Sequence, residues 1–143
     1  MATITGANST FYLSIDTIFP IAQELQGFAV DDLMDTDAIE RVETKMGVDG
    51  ILSAGRVNVP VKTTIALMAD SASIDLFEQW VAYEASVNDV YFANGTISQD
   101  SIGRRYTLTN GVLTSYPTMA NIKKLLGERK MIITWESVTG STY

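Results

Sequence analysis

Four carboxylates crowd into Asp31-Asp32-Leu33-Met34-Asp35-Thr36-Asp37, the densest cluster of chemistry-capable side chains in the 143-residue chain. Closely spaced oxygen ligands suit calcium, but a calcium loop also needs a glycine at its sharp turn and a closing glutamate. This segment has no Gly and no Glu at the closing distance, so a solvated or inter-subunit loop is the better reading. The chain has no His and no Cys at all. That removes the usual general base and transition-metal ligand, thiolate chemistry and disulfides, and any Ser-His-Asp or Cys-His arrangement. Two carboxylates can still hydrolyse a glycoside, but that needs an aromatic-lined cleft, for which a small domain with one helix has little room. No Gly-rich phosphate loop occurs. No catalytic residue, metal site or cofactor is therefore assigned, the chain is read as not an enzyme, and a binding module or an assembly subunit is what remains.

The charge is distributed unevenly. Its net value is −7, which argues against a basic face that wraps nucleic acid. Residues 1–100 hold fifteen acidic and four basic side chains, a net of −11. Residues 101–143 hold two acidic and six basic ones, a net of +4. Such a split fits a head-to-tail assembly in which one subunit's acidic surface meets a neighbour's basic one. The first residues lack the basic and apolar regions of a secretion signal, and no apolar run approaches the ~20 residues of a membrane helix. The expectation is a cytoplasmic product with no membrane insertion.

The elements that would carry these charges are mostly strands. Phe11 to Phe19 alternates, with Leu13 and Ile15 on one face, and is expected to end at Pro20; Ile21 to Val30 reads as a second strand interrupted by Gly27. Arg56 to Leu67 has the clearest alternation, with Val57, Val59, Val61, Ile65 and Leu67 on one face. The N-cap candidates Asp70, Ser71 and Ser73 then precede a helix over about 73–87. Its apolar stripes are Ile74, Phe77 and Val81 beside Leu76, Trp80, Tyr83 and Val87. Asn94-Gly95 signals a hairpin turn, and Asn110-Gly111 a second turn or a bulge. Asn121 to Leu126 is compatible with a short helix or a strand, with extended structure favoured. Met131 to Val138 is a final strand, and Thr139 to Tyr143 a small polar tail.

One segment lacks a core of its own. Ala38 to Met46 carries Glu40, Arg41, Glu43 and Lys45, and Gly47-Val48-Asp49-Gly50 turns it back through Ile51-Leu52-Ser53. A hairpin this polar, over about 38–53, is expected to find its partner on another chain. The fold class is mainly β with one helix, two packed antiparallel sheets forming a sandwich or half-barrel flanked by that helix. The expected organisation is an arm at 1–9 and a single β domain at 10–143.

The order of these elements resembles the tail tube protein of contractile-tailed bacteriophages. The likeness runs from about Phe11 to Val138, through the hairpin at Gly47-Val48-Asp49-Gly50, the entry Ala69-Asp70-Ser71-Ala72-Ser73, Tyr116-Pro117 and the closing Ile133-Thr134-Trp135-Glu136. The resemblance implies hexameric rings whose inner sheets join into a β-barrel, stacked head-to-tail into a hollow tube inside a contractile sheath. DNA would cross the lumen without specific binding, and net acidity suits such a channel because like charge repels phosphate. The particle would be a virion tail assembled in the host bacterial cytoplasm. Inter-ring contacts are expected at Ala2, Thr3 and Ile4 of the arm and at Arg41, Glu43, Lys45, Gly47, Asp49 and Gly50 of the hairpin. The alternatives are a tube-like ring protein of a bacterial secretion apparatus, a tail-terminator subunit, or a monomeric small-molecule binding β-barrel.

Overall fold

A computed structural model describes residues 9–26 and 34–142. Among them are nine strands and one α-helix. In chain order these are β1 (Ser9–Ile15), β2 (Phe19–Glu24), β3 (Met34–Thr36), β4 (Val42–Met46), β5 (Leu52–Arg56), β6 (Val61–Leu67), α1 (Ile74–Val87), β7 (Ala93–Gln99), β8 (Arg104–Ser115) and β9 (Arg129–Thr142). Seven strands form one antiparallel sheet in the order β2-β1-β7-β8-β9-β6-β3, and β4 and β5 form a second, two-stranded sheet. The mainly β class with one helix and two antiparallel sheets is as expected, and among the described residues no strand pairing closes the large sheet into a barrel.

Alternation sorts the side chains as read. Phe11, Leu13 and Ile15 are buried from β1, Ile65 and Leu67 from β6, and Met131, Ile133 and Trp135 from β9. The helix lays Ile74, Leu76, Phe77 and Trp80 on this layer, with the Phe77 and Trp80 rings stacked at 6.2 Å. Trp80 donates its indole N–H to the Tyr91 carbonyl at 3.3 Å. Asn88 ends the helix in the left-handed conformation (φ 55°).

Several expected boundaries move, each for a physical reason. The first strand stops at Ile15, where a turn with Thr17 at φ 74° precedes β2. Pro20 thus lies inside β2, which is tolerable because β2 is an edge strand. Of the expected strand at 21–30, residues 27–30 lie outside the described residues. Val57 to Pro60 is not strand; Arg56 belongs to β5 and the ladder resumes at Val61. Residues 121–126 form neither helix nor strand. The expected polar tail is strand as far as Thr142, which β9 pairs with Arg104, and Tyr143 lies outside the described residues. Ser73 makes no side-chain cap to the helix. Its hydroxyl instead accepts from the Gln26 N–H at 2.7 Å, while Ser71 donates to the Gln26 carbonyl, so the pair fastens the chain leaving β2.

The Asn94-Gly95 hairpin is the largest correction. Both Asn-Gly pairs lie inside strands, facing each other across β7 and β8. Residues 109 and 110 of β8 oppose the single residue 94 of β7, a bulge with Asn110 at φ 48°. The Asn94 side-chain carbonyl accepts the Asn110 N–H at 3.2 Å. The glycines are there to make room for an indole. A Cβ on Gly95 would lie 3.3 Å from the Trp135 ring and 3.1 Å from Phe11, and one on Gly111 would collide with the Trp135 ring outright. The fully buried Trp135 donates its N–H to the Thr63 hydroxyl at 2.9 Å.

These contacts set outcomes measurable by urea titration. Gly111→Ala should destabilise the fold by about 1–3 kcal/mol through overpacking against a rigid ring. Gly55→Ala, with nothing within 4 Å of its Cβ, should stay within about 0.5 kcal/mol of the parent in the same urea titration. Thr63→Val should cost about 1–3 kcal/mol by leaving the indole N–H buried without an acceptor, and Thr63→Ser should recover most of it.

Candidate assembly interface

The two-stranded ribbon is regular and bare. Val42 pairs with Arg56, Glu43 with Gly55, Thr44 with Ala54, Lys45 with Ser53 and Met46 with Leu52. Its turn is closed by the Gly47 N–H to the Ile51 carbonyl at 2.9 Å and the Gly50 N–H to the Gly47 carbonyl at 3.0 Å. The Asp49 carboxylate accepts the Ile51 N–H at 3.1 Å. Gly50 sits at φ 83°, where a side chain would be strained. Every residue of β4 and β5 is exposed.

Paired residues share a face, so the ribbon has two different sides. Glu43, Lys45, Ser53 and Gly55 make one polar side. Val42, Met46, Leu52 and Ala54 make the other, with Thr44 and Arg56 among them. The reading of a polar hairpin is thereby refined: Val42, Met46 and Leu52 lie exposed along one side, and Val48 and Ile51 are exposed at the turn. The signal was present in the alternation of Val42, Thr44 and Met46, which the neighbouring charges obscured.

The expected contact residues Glu43, Lys45, Gly47, Asp49 and Gly50 are thus gathered on one exposed ribbon. Arg41 stands at its root, where its carbonyl accepts the Val57 N–H at 3.0 Å. Arg41 and Arg56 face a cleft of ≈ 550 Å³ shared with Ile39, Val59, Glu136 and Val138. Ala2, Thr3 and Ile4 lie outside the described residues, as do Asp31 and Asp32 of the acidic cluster. Asp35 stands on edge strand β3 opposite Thr64, and the Asp37 N–H reaches the Lys62 carbonyl at 3.0 Å.

The opposite half of the sheet carries the helix and the connection from β8 to β9. Arg129 anchors this region. Only 5% exposed, it donates to Glu78 at 3.0 Å, to the Tyr116 hydroxyl at 2.8 Å and to the Pro117 carbonyl at 2.7 Å. Burial opposes its charge, but the bonds to Glu78 and Tyr116 outweigh that and hold its pKa above the ordinary arginine value. One of the six bases of the C-terminal segment is therefore spent inside the molecule. The exposed ones divide between Arg104 and Arg105 at one end of the β8–β9 pair and Lys123, Lys124 and Lys130 at the other. Near the helix end, burial pushes the Glu84 carboxyl up, partly offset by the Tyr91 N–H it accepts at 3.2 Å. Desolvation, with Tyr83 beside it, also raises the Tyr91 phenol.

The family model described as tail fiber protein gp32 matches residues 2–139. No curated protein matches the chain. A chain of the six-fold symmetrised anti-feeding prophage baseplate superposes with a TM-score of 0.59 at 13% identity, over 99% of this chain and 98% of that one. A chain of the anti-feeding prophage tube-terminating cap gives 0.60 at 12% identity, over 100% and 93%. A chain of the sheath–tube complex of an extracellular contractile injection system, in its extended state, gives 0.56 at 13% identity, over 93% and 88%. These likenesses show a shared tail-tube-like fold. The chain belongs to the tail fiber protein gp32 family.

Proposed function

We propose that this chain is a structural subunit, not an enzyme, that joins copies of itself into hexameric rings stacked as the hollow tube of a contractile phage tail. The observation that carries this reading is the amphipathic ribbon, a two-stranded sheet whose apolar side chains Val42, Met46 and Leu52 are exposed among the described residues. An uncovered strip rimmed by polar groups marks a protein–protein surface. The ribbon leaves the half of the sheet away from α1, so a copy placed end-on can receive it. Such a head-to-tail contact repeats indefinitely, which makes a filament of rings. Within a ring, neighbouring copies would meet side by side, with β2 and β3 as the outermost strands of the described sheet. Six copies is the count that the symmetry of the baseplate relative favours. The tube would lie inside a sheath, and the net charge of −7 would let DNA pass during ejection without adhering. The ribbon residues Arg41, Glu43, Lys45, Gly47, Asp49 and Gly50, with Ala2, Thr3 and Ile4 of the arm, are the proposed inter-ring contacts.

The likeness to baseplate and cap chains favours one second reading, a ring at the end of the tube in place of the tube body. Negative-stain images of the concentrated chain separate the two. Long tubes support the first reading, single rings the second, and a species that elutes near 15.6 kDa at every concentration overturns both. Met46→Glu combined with Leu52→Glu should keep the parent's circular dichroism and melting curve, since both side chains are exposed, and should abolish stacking. Tubes of normal length from that variant would remove the ribbon from the account.

A further inference from the structure

The end of the molecule away from the ribbon exposes two more apolar clusters, of opposite charge. The first is in the segment joining β8 to β9, where Met119, Ile122, Leu125 and Leu126 are 60–82% exposed around Lys123 and Lys124. The second is at the end of α1, where Tyr83, Val87, Val90 and Phe92 are 39–52% exposed. Asp89 and Asp16 lie in the second cluster's rim, and the Asp16 N–H bonds the Phe92 carbonyl at 3.1 Å. Glu84 completes the rim through the Tyr91 N–H. No base lies between residues 63 and 103.

Neither cluster covers the other within one chain. Arg129 and Tyr116 tie the root of the basic segment to Glu78, in the first half of the helix. Val87 lies nine residues further along α1, which is about 13 Å at the helical rise. Both clusters stand at the end of the sheet where β7 and β9 begin, hence at one level of the molecule. A contact between unlike patches at the same level joins neighbours side by side and closes a ring when the rotation allows.

We propose that the basic apolar segment Met119–Leu126 of one copy seats on the acidic apolar patch Tyr83–Phe92 of the next, as the lateral contact between neighbours. Opposite charge fixes the register and excludes like-to-like pairing, because two basic segments or two acidic patches would repel. The inference rests on self-assembly but not on the ribbon, which serves the other end of the molecule.

The absence of native Cys makes the test direct. Leu125→Cys and Val90→Cys are made as separate full-length chains, so that no link can form within one molecule. Each is treated with a flexible bis-maleimide alone and in equal mixture, in the parent background and with the Met46→Glu and Leu52→Glu pair. The mixture should give several-fold more covalent dimer than either chain alone, and should still do so with the ribbon disabled. Lys123→Glu with Lys124→Glu should remove that excess, and Asp16→Lys with Asp89→Lys in the mixing partner should restore it. Equal linking in mixed and unmixed samples overturns the inference. If that occurs while the parent still builds tubes, only this contact is wrong; if the parent stays monomeric, the assembly reading falls as well.

Discussion

Trp135 stands in the middle of the large sheet, and an indole there needs space on two neighbouring strands and an acceptor for its N–H. Gly95 on β7 and Gly111 on β8 supply the space, and the Thr63 hydroxyl on β6 supplies the acceptor. Four consecutive elements of the sheet thus depend on one side chain. The bulge at Asn110 directly precedes Gly111, the residue against the ring. With the centre so specified, the register from β1 to β6 is determined, and the two ends of the sheet are free to carry other things.

What they carry differs in kind. At one end a regular ribbon projects with an apolar side of its own. At the other, a long connection without helix or strand holds exposed leucines and lysines next to a helix whose apolar stripe outlasts the sheet beneath it. The stripe explains itself by length: Ile74 to Trp80 lies over the core, whereas Tyr83 and Val87 extend past it. Among the described residues the core is closed within the chain, while apolar side chains stay exposed at both ends.

Much of this was legible in the sequence. Period-two alternation located β1, β6 and the first half of β9 on their correct faces, and the helix was bounded to within a residue. The ribbon was legible as a hairpin, although its apolar side was hidden among four charges. What misled were residues with two physical uses. Asn-Gly is a turn signal because it tolerates positive φ, yet here its glycine serves close approach to a ring that comes forty residues later in Trp135 for Gly95. Ser71 and Ser73 looked like helix caps but hold a distant backbone. Arg129, counted only as one of six C-terminal bases, is a buried clasp. In each case the deciding partner is remote in sequence, and local pattern has no access to it.

The edges of the sheet carry a different consequence. Among the described residues β3 offers three, about 10 Å of ladder, and β2 contains a proline that cannot donate. A strand that drifts onto either edge gains few bonds, so stray sheet-to-sheet growth in a crowded cell has little to feed on. Short, blunted edges thus limit the capture of other chains through strand pairing.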